Sequence, residues 1–272
     1  MNDLPHSIYL GSILLEPNRW PDRPTTTYGR LKQLSGIVQG PPLIRASDWL
    51  ARARADGFDG VELWENHALL CSDAEFATLC RPALPVAVYS SYFGLEDGDA
   101  GRRNVALAAV QALDAKGVKF NFGADSAKRG EYLRNLRAWA AQLPGEVRLV
   151  CECHGGSLAD TPEGAASLLA ELDPPRFQGT VHFVDEYTKR PLAEWLKALG
   201  PRLGHVHVGR VVEPGETAVR ERLRLLRDHG FAGSFTIEFT TGIDWGRPQP
   251  SVETLYASAV ADLKRLREWL EA

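Results

Sequence analysis

Eight short apolar runs alternate with amphipathic stretches along the chain, and this alternation most constrains what it can fold into. The runs are Ser7–Leu15, Gly60–Trp64, Pro85–Tyr89, Val118–Phe122, Val147–Cys153, Gly179–Val184, Leu203–Val208 and Ser234–Phe239. Helical patterns lie between them, near Arg45–Asp56, Asp73–Arg81, Gly101–Lys116, Ala127–Gln142, Thr161–Glu171, Pro191–Leu199, Thr217–His229 and Val252–Leu270. In the last, Val252, Leu255, Tyr256, Ala259, Leu263, Leu266 and Leu270 recur every three or four residues, the stripe of a half-buried helix. Strand-then-helix order predicts a parallel sheet, and eight units predict closure into a (β/α)8 TIM barrel spanning residues 1–272 as one domain. An open doubly wound sheet is the rival fold. It wants a G-x-G-x-x-G turn after the first strand, and GSILLEPNRW has none.

Composition narrows the partners. A net charge of −4, with both signs mixed along 272 residues, gives no basic footprint for nucleic acid. No apolar run approaches the roughly 18 residues of a membrane span, and MNDLPHSIYL is acidic and prolyl where a signal peptide is basic. The chain therefore reads as cytoplasmic. Cys71, Cys80, Cys151 and Cys153 lack zinc-ribbon spacing and read as reduced, buried hydrophobes. From Pro17 to Ile44 the rhythm breaks in a proline-rich connection, far longer than the usual 2–6 residues. It is either a lid over the barrel mouth or a surface excursion.

Chemistry gathers at the strand ends. In VRLVCECHGGSL, strand parity puts Glu152 and His154 on one face and Cys151 and Cys153 on the other. Gly155 and Gly156 then end the strand, and Thr161-Pro162-Glu163 opens a helix with a capping residue. The sixth run supplies His182 and, just beyond it, Asp185; the seventh His205 and His207; the eighth Glu238. Four of the seven histidines lie in these segments. A lone strand histidine is more often a hydrogen-bonded core residue than a ligand, but four adjacent strands carrying ligand-type residues point to a divalent metal. An unpaired buried carboxylate costs several kcal/mol, so a positive group belongs among them. Trp64, Tyr89, Tyr92, Phe93 and Trp245 form either an apolar wall for a ring-shaped ligand or plain core.

The chain resembles the xylose-isomerase-like TIM barrels, which include sugar isomerases, ketose 3-epimerases, inosose dehydratases, related lyases and abasic-site endonucleases. The resemblance is carried by GFDGVELWENH, ECHGGSLADTPEG, HVHVGR followed by EPGE, and IEFTTG, in that order. It implies metal ligation by Glu152, His207 and Glu238. The family shows Asp-x-x-His at strand six, where this chain has His182-Phe183-Val184-Asp185, so the two residue types are exchanged. Parity favours His182 as the fourth ligand, with Asp185 as the alternative.

The resemblance further implies proton abstraction next to a carbonyl. Glu152 and Glu238 are then the paired acid and base on an exposed rim, and His154 is a further candidate base. Asp185, His205, Arg210, Glu62 and Trp64 are candidates for holding a small carbohydrate substrate. Isomerase or epimerase is the leading activity. A lyase or dehydratase on a keto-sugar or keto-glycoside is the alternative, with an abasic-site endonuclease or a non-catalytic barrel behind. A set of two imidazoles and two carboxylates favours manganese or zinc, with cobalt, iron, nickel or magnesium behind. The sequence does not decide between a monomer and a homo-oligomer.

Overall fold

Each apolar run forms a strand, and the eight strands pair in parallel, in sequence order, until the first meets the last and closes the barrel. The computed structural model describes residues 6–16, 42–183, 190–211, 215–240, 243 and 249–271. The strands are β1 (Ile8–Gly11), β2 (Gly60–Trp64), β3 (Val86–Ser90), β4 (Gly117–Phe120), β5 (Arg148–Glu152), β6 (Phe177–His182), β7 (Leu203–Gly209) and β8 (Ser234–Phe239). Among the described residues the helices are α1 (Ala46–Ala55), α2 (Glu65–Leu69), α3 (Asp73–Leu79), α4 (Ala100–Ala112), α5 (Arg129–Ala140), α6 (Pro162–Ala170), α7 (Leu192–Leu199), α8 (Glu216–Asp228) and α9 (Val252–Glu271). The predicted cap of α6 is present: Thr161 Oγ1 accepts from the Gly164 amide, with Pro162 in the first turn.

Two differences from the sequence reading have local causes. The first run is strand only to Gly11, and Ser12–Leu15 winds into a 3-10 turn. There Ser12 Oγ accepts the Trp64 amide at 2.8 Å and so ties the end of β1 to the end of β2. The second difference is α2, whose five residues are too few for helical periodicity to register in the sequence.

Strand parity sorts the side chains into two environments. Ile8, Leu10, Val61, Leu63, Val118, Phe120, Leu149, Cys151, Val181, Val206, Phe235 and Ile237 point outward and belong to one continuous apolar core shared with the helices. The lumen is different. It holds Glu62, Lys119, Glu152, Thr180, His182, His205, His207, Ser234, Thr236 and Glu238, all buried. Tyr9, Ala87 and Val88 form a small apolar cluster apart from the main core.

At the rim, Glu16 accepts from the Leu43 amide at 2.8 Å and from His67 Nε2 at 2.8 Å. His67 Nδ1 in turn lies 2.9 Å from Ser12 Oγ. The lid reading of the proline-rich connection falls mostly on residues 17–41, outside the described residues, as do Asp185 and Trp245.

Candidate metal centre

The inward faces of β5 to β8 converge at the C-terminal mouth, where catalytic residues of such barrels sit. Glu152 ends β5 and His182 ends β6, while His207 and Glu238 lie next to the ends of β7 and β8. Gly11 helps to seat Glu238: a Cβ there would stand 2.9 Å from the Glu238 Cα, so β1 can close on β8 at this level only without a side chain.

One donor atom from each of the four lies within 4.8 Å of all the others. His182 Nε2 is 3.2 Å from Glu238 Oε2 and 3.8 Å from Glu152 Oε1. His207 Nδ1 is 3.3 Å from Glu238 Oε2 and 3.8 Å from Glu152 Oε1. Ligands about 2.1 Å from an ion stand about 3.4 Å apart at the corners of a tetrahedron, close to these separations. Two further observations make the donor set fit a divalent ion. His207 Nε2 faces Glu62 Oε2 at 3.0 Å, which places the ring proton on Nε2 in the neutral tautomer and aims Nδ1 at the carboxylates. Nδ1 itself is buried and makes no hydrogen bond of good geometry.

Charge in the lumen is only partly compensated, with Glu62, Glu152 and Glu238 facing Lys119 and the histidines. Burial alone would raise the Glu62 carboxyl, but His207 and Lys119 hold it well below the usual carboxylate range. Glu238 is likewise lowered, against burial, by His207 and His182. Burial would lower His207, yet Glu238 and Glu62 push it up to about 10. In the ion-free chain a proton on this imidazole supplies positive charge that a divalent ion would replace. His205 behaves oppositely, since burial pulls it down to about 4.

The remaining sequence candidates spread over several levels. His154, half-buried just past β5, stands with its ring 5.1 Å from that of His182, on the outer side of the cluster. His205 lies two residues deeper on β7, its nitrogens 2.8 Å from Ser234 Oγ and 2.9 Å from Thr236 Oγ1. A second grouping, Glu62 with His205 and His207, is closed by these bonds and the His207–Glu62 bond. Glu62 reaches His207, His205 and Lys119 inside the lumen. Trp64 is buried and packs edge-on against His67. Arg210, with a left-handed φ of 49°, donates to the Ile243 carbonyl at 2.6 Å. The expected exposed rim is absent at both glutamates: Glu152 is 0% and Glu238 5% exposed, because the lumen around them is filled by other polar side chains. Tyr89, Tyr92, Phe93 and Trp64 are all buried.

Sequence reasoning missed Lys119 and Asn121. Asn121 donates to Glu152 Oε2 at 2.9 Å, and Lys119 Nζ is 3.3 Å from Glu152 Oε1. Their signal was present in GVKFNFG, where Lys119 and Asn121 alternate with Val118, Phe120 and Phe122.

No protein-family model and no curated protein matches the chain. Solved structures do, and they are xylose-isomerase-like TIM barrels. A D-psicose 3-epimerase solved with D-fructose superposes with a TM-score of 0.70 at 15% identity, over 98% of this chain and 100% of that one. The probable 3-DHS dehydratase AsbF of Bacillus anthracis gives 0.65 at 17% identity, over 96% and 98%. A xylose isomerase-like TIM barrel protein from Mycobacterium smegmatis, in complex with magnesium, gives 0.62 at 18% identity, over 97% and 98%. At these identities the likeness is one of fold.

Proposed function

We propose that this chain is a divalent-metal-dependent isomerase or epimerase of small carbohydrates, acting by proton transfer next to a carbonyl. The observation that carries the reading is the set of four buried donor atoms from Glu152, His182, His207 and Glu238, mutually within 4.8 Å at the barrel mouth. When bound there, a divalent ion supplies Lewis acidity that stabilises negative charge on a carbonyl oxygen. The protein's own groups do the rest. Asn121 fixes one oxygen of Glu152 and leaves the other turned to the cluster. Glu152 and Glu238 arise from strands on different sides of the mouth, so each can hold a proton on its own face of a bound substrate. His154 stands outside them as a further base. Asp185 and Arg210, beyond the ends of β6 and β7, are proposed to hold substrate hydroxyls.

A lyase or dehydratase is the second reading, favoured by the placement of His154 beside His182 and by the likeness to a probable dehydratase. The mixed nitrogen and oxygen donors favour manganese or zinc over magnesium, whose preference is for oxygen ligands and retained water. We read residues 1–272 as one domain acting in the cytoplasm without nucleic-acid or membrane partners; no helix among the described residues is long and apolar enough to cross a membrane.

The test is incubation of the metal-loaded protein with ketoses and keto-glycosides in heavy water. Deuterium washed into recovered sugar without release of a leaving group supports the epimerase or isomerase. Release of a leaving group selects the lyase, and neither outcome across a broad panel ends the catalytic reading. Elemental analysis of protein purified without added metal identifies the ion.

A further inference from the structure

The lumen contains a cation of its own. Lys119, on β4, is 2% exposed at its side chain and reaches across the barrel. Its Nζ lies 3.3 Å from Glu152 Oε1 on β5, 3.6 Å from Glu62 Oε1 on β2 and 4.0 Å from Glu238 Oε1 on β8. Tyr92 covers it, with the ring centre 5.6 Å from Nζ. Glu65 holds Tyr92 in place by accepting its amide at 2.9 Å. Contact with carboxylates from β2, β5 and β8 places the ammonium inside the lumen, within 3.3 Å of Glu152 Oε1 and 4.0 Å of Glu238 Oε1, next to the donor set.

The positions of the contacts divide the work. Lys119 touches the Oε1 atoms of all three carboxylates, whereas the imidazole nitrogens face Glu238 and Glu62 through their Oε2 atoms. Glu152 Oε1 is shared between the ammonium and the donor cluster. An ammonium donates hydrogen bonds and cannot ligate a metal. Once an ion has replaced the proton on His207, three carboxylates against one ammonium leave two negative charges, the charge of one divalent ion.

We propose that Lys119 is the resident counter-cation of this site, a positioning residue that keeps the carboxylates together when no ion is bound and electrostatically opposes the ion when it is. This deepens the metal reading above and rests on it. The ammonium stabilises the ion-free barrel because unlike charges this close in a buried site attract strongly. The same ammonium, 3.3 Å from an oxygen of Glu152, would repel a dication held by that carboxylate, so the ion is bound less tightly than its ligands alone would hold it. An ion held this way exchanges with solution.

The experiment uses Lys119→Met, which keeps the length of the side chain and removes its charge. Thermal midpoints are measured for the chelator-treated and manganese-saturated proteins, and manganese affinity is measured by calorimetric titration. The expected result is a lower midpoint for the ion-free variant, a smaller loss in the saturated variant, and an affinity at least tenfold tighter than that of the parent. Equal losses in both states with unchanged affinity would mean that Lys119 only packs. A weaker affinity would mean that it props up the ligands without opposing the ion. Either result overturns the proposal.

If ion-free Lys119→Met does not fold, the double variant Glu62→Gln/Lys119→Met decides, because it removes one charge of each sign. It should fold without an ion and show a measurable thermal midpoint; failure to fold overturns the proposal. A parent protein that binds no divalent ion would end the metal reading, while the ion-free comparison of single and double variants would still decide the role of Lys119.

Discussion

The outward and inward faces of the same eight strands are built on opposite rules. Outward, Leu10, Leu63, Phe120, Leu149 and Ile237 are each 0% exposed and belong to the apolar core shared with the helices. Inward, at the same levels, stand Glu62, Lys119, Glu152 and Glu238, equally hidden from water but charged. Burial of the first set is favourable by about 25 cal/mol per Å² of apolar surface. Burial of the second is costly unless every charge is answered. The barrel is therefore held from its outer sleeve, and the lumen is free to carry groups chosen for chemistry. Substitutions on the two faces should fail in different ways.

The largest effect is expected from Glu152→Gln and Glu238→Gln, which should bring turnover to background while the circular-dichroism spectrum stays native. Loss of the helical signal in either variant would place that glutamate among the fold's supports and blur the distinction between the faces. On the sleeve, Leu149→Ala should cost about 2–5 kcal/mol in chemical denaturation, the usual range for a buried leucine. The loss should be the same with and without metal; a metal-dependent loss would couple the faces. His154→Ala should lower turnover by about 100-fold, as for a lost general base, with metal content unchanged in elemental analysis. Equal loss of metal and turnover would make it a ligand. The smallest effect is expected from His182→Ala, which should weaken manganese binding about tenfold or more, the scale of a disturbed metal site. Unchanged affinity in titration would hand the strand-six position to Asp185.

Parity explains how much of this was legible in the amino-acid order. Val118, Phe120 and Phe122 announce a strand, as do Leu149 and Cys151, and eight such runs separated by helices leave a closed barrel as the natural solution. Glu152, His182, His207 and Glu238 were legible for the same reason, as ligand-type residues on one face of adjoining runs. The lumen network was harder to see. Glu62 and Lys119 lie 57 positions apart on β2 and β4, which meet only through their shared neighbour β3, and closure of β8 on β1 is what brings Glu238 to the same ammonium. Read singly, a lysine in a four-residue strand looks like a solvated residue, and nothing local says that it points at three carboxylates. The five-residue α2 and the early end of β1 were also hidden, because single hydrogen bonds such as Ser12 to the Trp64 amide decide them.

The bond from the Leu43 amide to the Glu16 carboxylate, 2.8 Å long and buttressed by His67, ties together the two described ends that flank residues 17–41. The entropy of closing a loop depends on how far its ends must be brought together and only weakly on its length, a doubling costing about 0.6 kcal/mol. With both ends already pinned, the barrel is nearly indifferent to how much chain lies between them. The joint between Glu16 and Leu43 is therefore a natural port in the scaffold, where segments of other lengths can be exchanged without re-registering a strand.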